Sequence, residues 1–210
     1  MTPSALEALR ILRSGGTFQW YVIPLLAIAF YVYALEIERR NWRAVFAGIA
    51  FWCMDWVNEI ANGLVLHFTR YAPIWGAPGR TALLVLVGLN VEIMFMFAIA
   101  GVVWVKLLPA DPKLRVFGIP NRWFVAVTGS VFCVIVEMLL NGAGALTWDY
   151  SWWGRSSPLP IVVFGYLPFF VVAFRVYDMP RVRDQATVAS GLGAAVVAGL
   201  AVFVGVLGWI

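Results

Sequence analysis

The sequence predicts an all-α polytopic membrane helix bundle of six, or at most seven, transmembrane helices, preceded by an interfacial amphipathic helix. Three observations predict it. Of the 210 residues, 62% are hydrophobic and only 12% are charged, against roughly 25% charged in soluble domains. The mean hydropathy is +0.86. Six apolar runs approach or exceed the roughly 20 residues needed to cross a bilayer, and no long polar stretch could form a second domain. The whole chain, 1–210, therefore reads as one transmembrane domain.

The N-terminal helix comes first. Glu7, Arg10 and Arg13 alternate with Leu6, Leu9, Ile11 and Leu12 over residues 1–16, a spacing that suits a helix lying on a membrane surface. No cleavable signal peptide is visible. The spans follow near 18–36, 44–68, 81–106, 123–146, 158–177 and 187–209. Pro158, Pro160 and Pro168 interrupt the fifth, and Pro168 predicts a kink. The sixth carries Gly191, Ala195 and Gly199 four residues apart. Small residues at that spacing favour close helix packing, so this span is a candidate homo-oligomer contact.

Lys and Arg set the expected orientation. Arg39, Arg40, Arg43, Lys106, Lys113, Arg115, Arg122, Arg175, Arg181 and Arg183 fall in loops 37–43, 106–122 and 175–186, while Arg10, Arg13, Arg70, Arg80 and Arg155 fall on the other side. The positive-inside rule puts the richer side in the cytoplasm. Both termini are then outside, with a bacterial inner (plasma) membrane as the expected location. The outer loops, around Tyr71 to Gly79 and Trp148 to Trp153, are aromatic and read as an interfacial belt or a lid. The net charge of +4 is explained by these loops and calls for no nucleic-acid partner. Two cysteines, Cys53 and Cys133, and one histidine, His67, exclude zinc-finger, iron–sulfur and c-type haem patterns. No metal or other cofactor is implied.

Ionisable groups inside spans are costly and mark function by default. Asp55, Glu59, Glu92 and Glu137 all lie within apolar runs. At 1.5 Å per residue they fall at depths of about 16, 22, 20 and 21 Å from the inner face. Three helices thus carry carboxyls to nearly one level. Asn58 and Asn62 share the face of Asp55 and Glu59, and Asn141 shares that of Glu137. Asn90 lies on span three, and Tyr166 on span five is a hydroxyl donor near the same level. Ser130 extends the Glu137 stripe. Trp52, Trp56 and neighbouring Met and Phe residues are candidate walls for an apolar or cationic ligand. A carboxylic acid in a dry pocket can act as general acid, with an ionised neighbour as base.

These parts suit an enzyme that acts on a lipid-soluble isoprenoid by proton-initiated cyclisation or isomerisation. Asp55, Glu59, Glu92 and Glu137 are the candidate catalytic residues. Asn58, Asn62, Asn90, Asn141, Trp52, Trp56 and Tyr166 are the candidate binding residues. The expected partners are a lipid-soluble small molecule and membrane lipids. Two alternatives stand beside this reading, a proton-coupled transporter and a non-catalytic subunit of a membrane complex.

One further pointer is a resemblance. Glu38-Arg39-Arg40, followed by an apolar run to Trp56-Val57-Asn58-Glu59, resembles the second helix of the small fungal membrane-bound meroterpenoid and indole-diterpene terpene cyclases. The resemblance covers about the first half of the chain. It implies that Glu59, or Asp55, is the catalytic acid, and Asn90 is compatible with that family's pattern. That family has seven helices and a second acid late in the last one, whereas span six here has no carboxylate. The chain is also similar to sterol-isomerase-type membrane proteins, with Asp55 standing where a His is expected.

Overall fold

The computed structural model describes residues 1–210, the side chain of Thr17 excepted. Its helices are α1 (Pro3–Ile11), α2 (Val22–Glu38), α3 (Trp42–Thr69), α4 (Val91–Lys106), α5 (Asn121–Gly142), α6 (Leu167–Asp178) and α7 (Val182–Leu200). A π-helical turn, Ile161–Tyr166, runs straight into α6, and a second, Ala201–Val206, continues α7. Two short hairpins complete the chain: β1 (Leu84–Leu86) with β2 (Leu89–Asn90), and β3 (Arg115–Val116) with β4 (Ile119–Pro120). Both are antiparallel.

Among the described residues, four helices are long and apolar enough to cross a membrane: α3, α5, the helix Ile161–Asp178 and the helix Val182–Val206. They match the second, fourth, fifth and sixth predicted spans to within about five residues. The first and third are shorter than predicted. α2 has 17 residues and α4 has 16, so at 1.5 Å per residue they reach about 24–26 Å, short of a hydrocarbon core of about 30 Å.

α3 is the axis. Of its most apolar stretch 56% is buried, against 11% for α7, so α3 sits inside while α7 is peripheral. Helices α4, α6 and α7 all pack on α3. The tightest approach is between α3 and α4. A Cβ on Gly101 would lie 2.7 Å from the Gly48 carbonyl oxygen, and one on Gly48 would lie 2.6 Å from Val102 Cγ2. Backbone contact of this kind is what small residues permit between membrane helices. The small-residue stripe on α7 behaves otherwise: a Cβ on Gly191 meets nothing within 4 Å, and one on Gly199 reaches only Ile60 at 3.0 Å.

The predicted span 81–106 divides into two parts. Residues 84–90 form the β1–β2 hairpin, and α4 begins only at Val91. Asn90 is its N-cap: Oδ1 accepts the Ile93 N–H at 2.8 Å, a strongly preferred cap. Glu92 sits in the first turn, where a carboxylate suits the helix dipole. Non-helical backbone at this depth is tolerated only when protein covers it, and Leu84, Leu86 and Leu89 are all fully buried. Neighbouring backbone satisfies the hairpin: Arg13 N–H donates to Leu84 O (2.8 Å), Ala77 N–H to Val87 O (3.0 Å) and Val91 N–H to Leu83 O (3.1 Å).

The hairpin belongs to a cap over one end of the bundle. α1 buries Ala5, Ala8 and Ile11 in it, so this helix packs on protein while Leu6 and Leu9 stay exposed. Thr2 and Ser4 hydroxyls donate to Asp149 Oδ2 at 3.2 and 2.6 Å. The loop after α3 pairs with the loop after α5 through reciprocal Gly76–Thr147 bonds of 3.0 and 2.8 Å. Asn62, fully buried, clamps the first loop from below. Its Oδ1 accepts the N–H of Ile74 (2.7 Å) and Trp75 (3.3 Å), and its Nδ2 donates to Trp75 O (2.8 Å).

The opposite end carries the charge. Glu36, 1% exposed, accepts from Lys106 Nζ and from Asn41 Nδ2 at 2.7 Å. Arg122 forms a two-point pair with Asp178 (2.9 and 2.7 Å), and Arg43 donates to Tyr177 O at 3.1 Å.

Gly101→Ala forces two backbones apart and is expected to cost about 2 kcal/mol by overpacking. Thermal denaturation in detergent should show the loss, and an unchanged melting temperature would mean that the α3–α4 contact is loose. Asn62→Ala strands two backbone N–H groups and one carbonyl, and should cost about 3 kcal/mol. The same assay with a protease should show early cleavage near residues 70–80.

Candidate functional site

Beneath the cap lies a cavity of about 160 Å³, walled by α3, α4, α5, the π turn and α6. α3 presents Asp55, Asn58 and Glu59 to it, α5 presents Glu137 and Cys133, and the π turn presents Gly165 and Tyr166. The i, i+4 spacing places Asp55 and Glu59 one above the other on α3. Glu137 faces them from α5, near enough to Glu59 to interact electrostatically.

Each acid has a different set of partners. Glu59 is 2% exposed and Oε1 accepts the Trp75 indole N–H at 2.6 Å. Its Oε2 faces Asn62 Nδ2 at 3.5 Å. Glu137 Oε1 accepts the Tyr166 hydroxyl at 2.7 Å, while its Oε2 is buried with no protein partner. Asp55 Oδ2 is likewise buried and unpartnered. Buried polar groups in native structures are nearly always paired. Asp55 Oδ2 and Glu137 Oε2 are thus two open acceptors in one apolar cavity, and Trp153 Nε1 on its wall is an open donor.

The walls are aromatic. Trp75 stacks on Trp153 (centroids 5.7 Å apart, interplanar angle 22°) and Phe97 on Tyr166 (6.1 Å, 8°). Phe51, Trp104, Phe132 and Phe169 add further rings to the lining. Gly88, at the hairpin turn, lets this wall close: a Cβ there would lie 2.6 Å from both Trp75 Nε1 and Asn62 Nδ2.

The π turn has a local cause. Pro168 has no N–H to give and its ring would strike the carbonyl four residues earlier in a regular helix. The wider turn precedes it where the sequence predicts a kink. Asn58 Nδ2 donates to Gly165 O at 3.0 Å, so α3 is bonded to this irregular backbone and Tyr166 is held over Glu137.

The sequence-predicted residues fall into two groups. Asp55, Asn58, Glu59, Glu137 and Tyr166 converge on the cavity. Six others do not line it. Glu92 is at the start of α4 and accepts from Tyr21, from Thr81 Oγ1 (2.6 Å) and from Ala82 N–H (2.7 Å). Its predicted mid-membrane depth presumed a helix over 81–106, which the hairpin removes. Asn90 is spent on the α4 cap. Asn62 stands behind Glu59 and holds the loop. Asn141 Nδ2 donates to Leu146 O at 3.0 Å. Trp52 and Trp56 meet edge to face, and Trp56 packs against the α7 face of α3 with Ile60 and Val196. Ser130 donates to Ala126 O within its own helix at 2.7 Å, and His67 stacks on Trp209 at 4.7 Å. Trp75 and Trp153, read from sequence as interfacial belt, are wall residues instead. Only a long-range contact puts them there, and nothing local signals it.

Comparison with known proteins gives a family. An uncharacterized protein of Archaeoglobus fulgidus is 56% identical over 209 residues, which cover 100% of this chain and 99% of the relative. A shorter uncharacterized protein of the same organism is 49% identical over 55 residues, 25% of this chain and 98% of its own length. No solved structure matches significantly. A family model described as an uncharacterized membrane protein family matches residues 2–205. Since that match spans nearly the whole chain, the protein is a membrane protein that belongs to this family.

Proposed function

We propose that the protein is a membrane-embedded acid–base enzyme that isomerises or cyclises a lipid-soluble isoprenoid. The observation that carries this reading is the pair of buried, unpartnered carboxyl oxygens, Asp55 Oδ2 and Glu137 Oε2, in one aromatic cavity. Protonation of an alkene needs a strong acid, a dry site and faces that stabilise a carbocation. Glu137 accepts a hydrogen bond from the Tyr166 hydroxyl, which favours an ionised acceptor, so Glu137 is assigned the base, while Glu59 is held in place by Trp75 and Asn62. No hydrogen-bond donor meets Asp55 Oδ2, so Asp55 is assigned the transferable proton.

The step is redox-neutral. The Asp55 O–H proton passes to one alkene carbon, whose π pair forms the new C–H bond. The positive charge that remains on the other carbon lies against Trp75, Trp153 and Phe97. The Glu137 carboxylate then removes a proton from an adjacent carbon, and that C–H pair becomes the new double bond. One proton enters and one leaves. This reading draws on the likeness to terpene cyclases and sterol-isomerase-type proteins for its chemistry class and on the cavity for its residues.

We further infer six crossings, with α2 and α4 completed by the caps at their ends, and both termini outside the cytoplasm. The three cation-rich loops share one end of the bundle, as the Lys106–Glu36, Arg122–Asp178 and Arg43–Tyr177 contacts require. The organism of the relatives is an archaeon, which gives no support to a bacterial location. An impermeant maleimide should label Phe117→Cys only after lysis and Ser156→Cys in intact cells. The reverse pattern would invert the orientation.

The enzyme reading is tested with membranes that carry the wild type, Asp55→Asn or Glu137→Gln at matched protein levels. These are incubated in D2O with a panel of neutral isoprenoid alkenes. The wild type should yield an isomeric or cyclised product that carries deuterium, and each variant should lower its rate by about 100-fold or more. Absence of a deuterated product with the wild type across the panel would remove the enzyme reading.

A further inference from the structure

The cavity has a mouth, and its position is informative. Among its described lining residues only Met96 on α4 and Phe132 on α5 are exposed, at 42% and 55%. The lining residues contributed by α3, α6 and the cap are buried or half-buried. α4 and α5 make little contact with each other; a Trp104–Phe132 ring contact, centroids 5.9 Å apart, closes the gap toward the charged end. The mouth therefore opens sideways, on the membrane-facing flank of the bundle, rather than toward either aqueous end.

Two further facts constrain what passes through it. Among the described residues no Lys or Arg lines the cavity, so a phosphate or diphosphate head has no counter-charge there. The volume is about 160 Å³, while an apolar cavity of about 150 Å³ accommodates one benzene-sized molecule. Room for roughly one or two isoprene units follows from that comparison. A long chain folded into several rings does not fit.

We infer that the substrate is a long, uncharged isoprenoid taken by one end, with its terminal unit in the cavity and the remainder lying across Met96 and Phe132 into the bilayer. This inference rests on the enzyme reading and narrows it: chemistry is confined to the terminal alkene, and chain length beyond the cavity matters little. A preference for a chain end follows from depth, since Asp55 and Glu137 lie inside the mouth and only a terminus can reach both.

Photolabelling tests this without turnover. A neutral polyisoprenoid with a diazirine on its terminal unit, and a second probe with the diazirine several units along, are added to membranes with wild type and with Asp55→Asn. The terminal probe should label peptides that contain Trp75 or Trp153, several-fold above background. The internal probe should label peptides around Met96 and Phe132. Phe132→Trp, which adds bulk at the exposed mouth, should suppress terminal labelling several-fold, with the melting temperature measured alongside to show that the variant folds. Equal labelling of both probes at the mouth, or labelling confined to α7, would overturn the chain-end inference. Correct labelling without any deuterated product would leave the binding inference standing and remove the enzyme reading. A deuterated product with misplaced labels would do the opposite.

Discussion

Inside a bilayer core no water is at hand to satisfy a backbone N–H or C=O, so every irregular turn must find its partner within the protein. Much of this architecture follows from that constraint. Around the cavity and its cap the chain departs from regular helix at the 71–79 loop, the β1–β2 hairpin, the π turn before Pro168 and the loop after α5. At each departure an asparagine stands by. Asn62 takes Ile74 and Trp75, Asn90 takes Ile93, Asn58 takes Gly165 O, and Asn141 takes Leu146 O. A carboxamide offers both donors and an acceptor, which makes it a natural substitute for missing backbone bonds.

That division of labour clarifies the acids. If Asp55 and Glu137 served only to hold helices together, their oxygens would be consumed as the amide groups are. Each instead keeps one buried oxygen without a protein partner. Glu36 is the internal comparison. It too is buried, but Lys106 and Asn41 engage it fully, and it lies at the charged end, away from the cavity. Two kinds of buried carboxyl therefore coexist in one chain, one neutralised by a cation and structural, the other facing an apolar space with neutral donors only.

Hydropathy alone located α3, α5, α6 and α7, because long apolar runs leave few alternatives once lipid is the solvent. The stripe Asp55, Asn58, Glu59, Asn62 was legible from helical periodicity, and Glu137 and Tyr166 from depth. The hairpin was not. Residues 82–89 are continuously apolar, and such a run cannot be told from buried helix by periodicity. The signal that was present, Asn90 as a cap with Glu92 in the first turn, was outweighed by the apolar run, and with it Glu92 was misplaced. Trp75 and Trp153 were hidden for a different reason. A tryptophan in a loop of a membrane protein fits the interfacial belt equally well, and only the Asn62 clamp and the Gly76–Thr147 pairing turn these two inward.

The capped end and the open flank then play complementary parts. Asn62 and Gly88 fix Trp75 against Glu59, so the wall at the cap is rigid and its polar group is already engaged. Helix α5 is different, with only 22% of its apolar stretch buried and few contacts to α4. Access is therefore cheapest where the bundle faces lipid, and an apolar molecule loses no hydrophobic stabilisation on its way from bilayer to cavity. A charged molecule would have to shed its hydration at the same mouth without any cation to receive it. On the proposed reading, selection for neutral, membrane-resident molecules follows from where the opening lies, before any specific contact in the cavity is made.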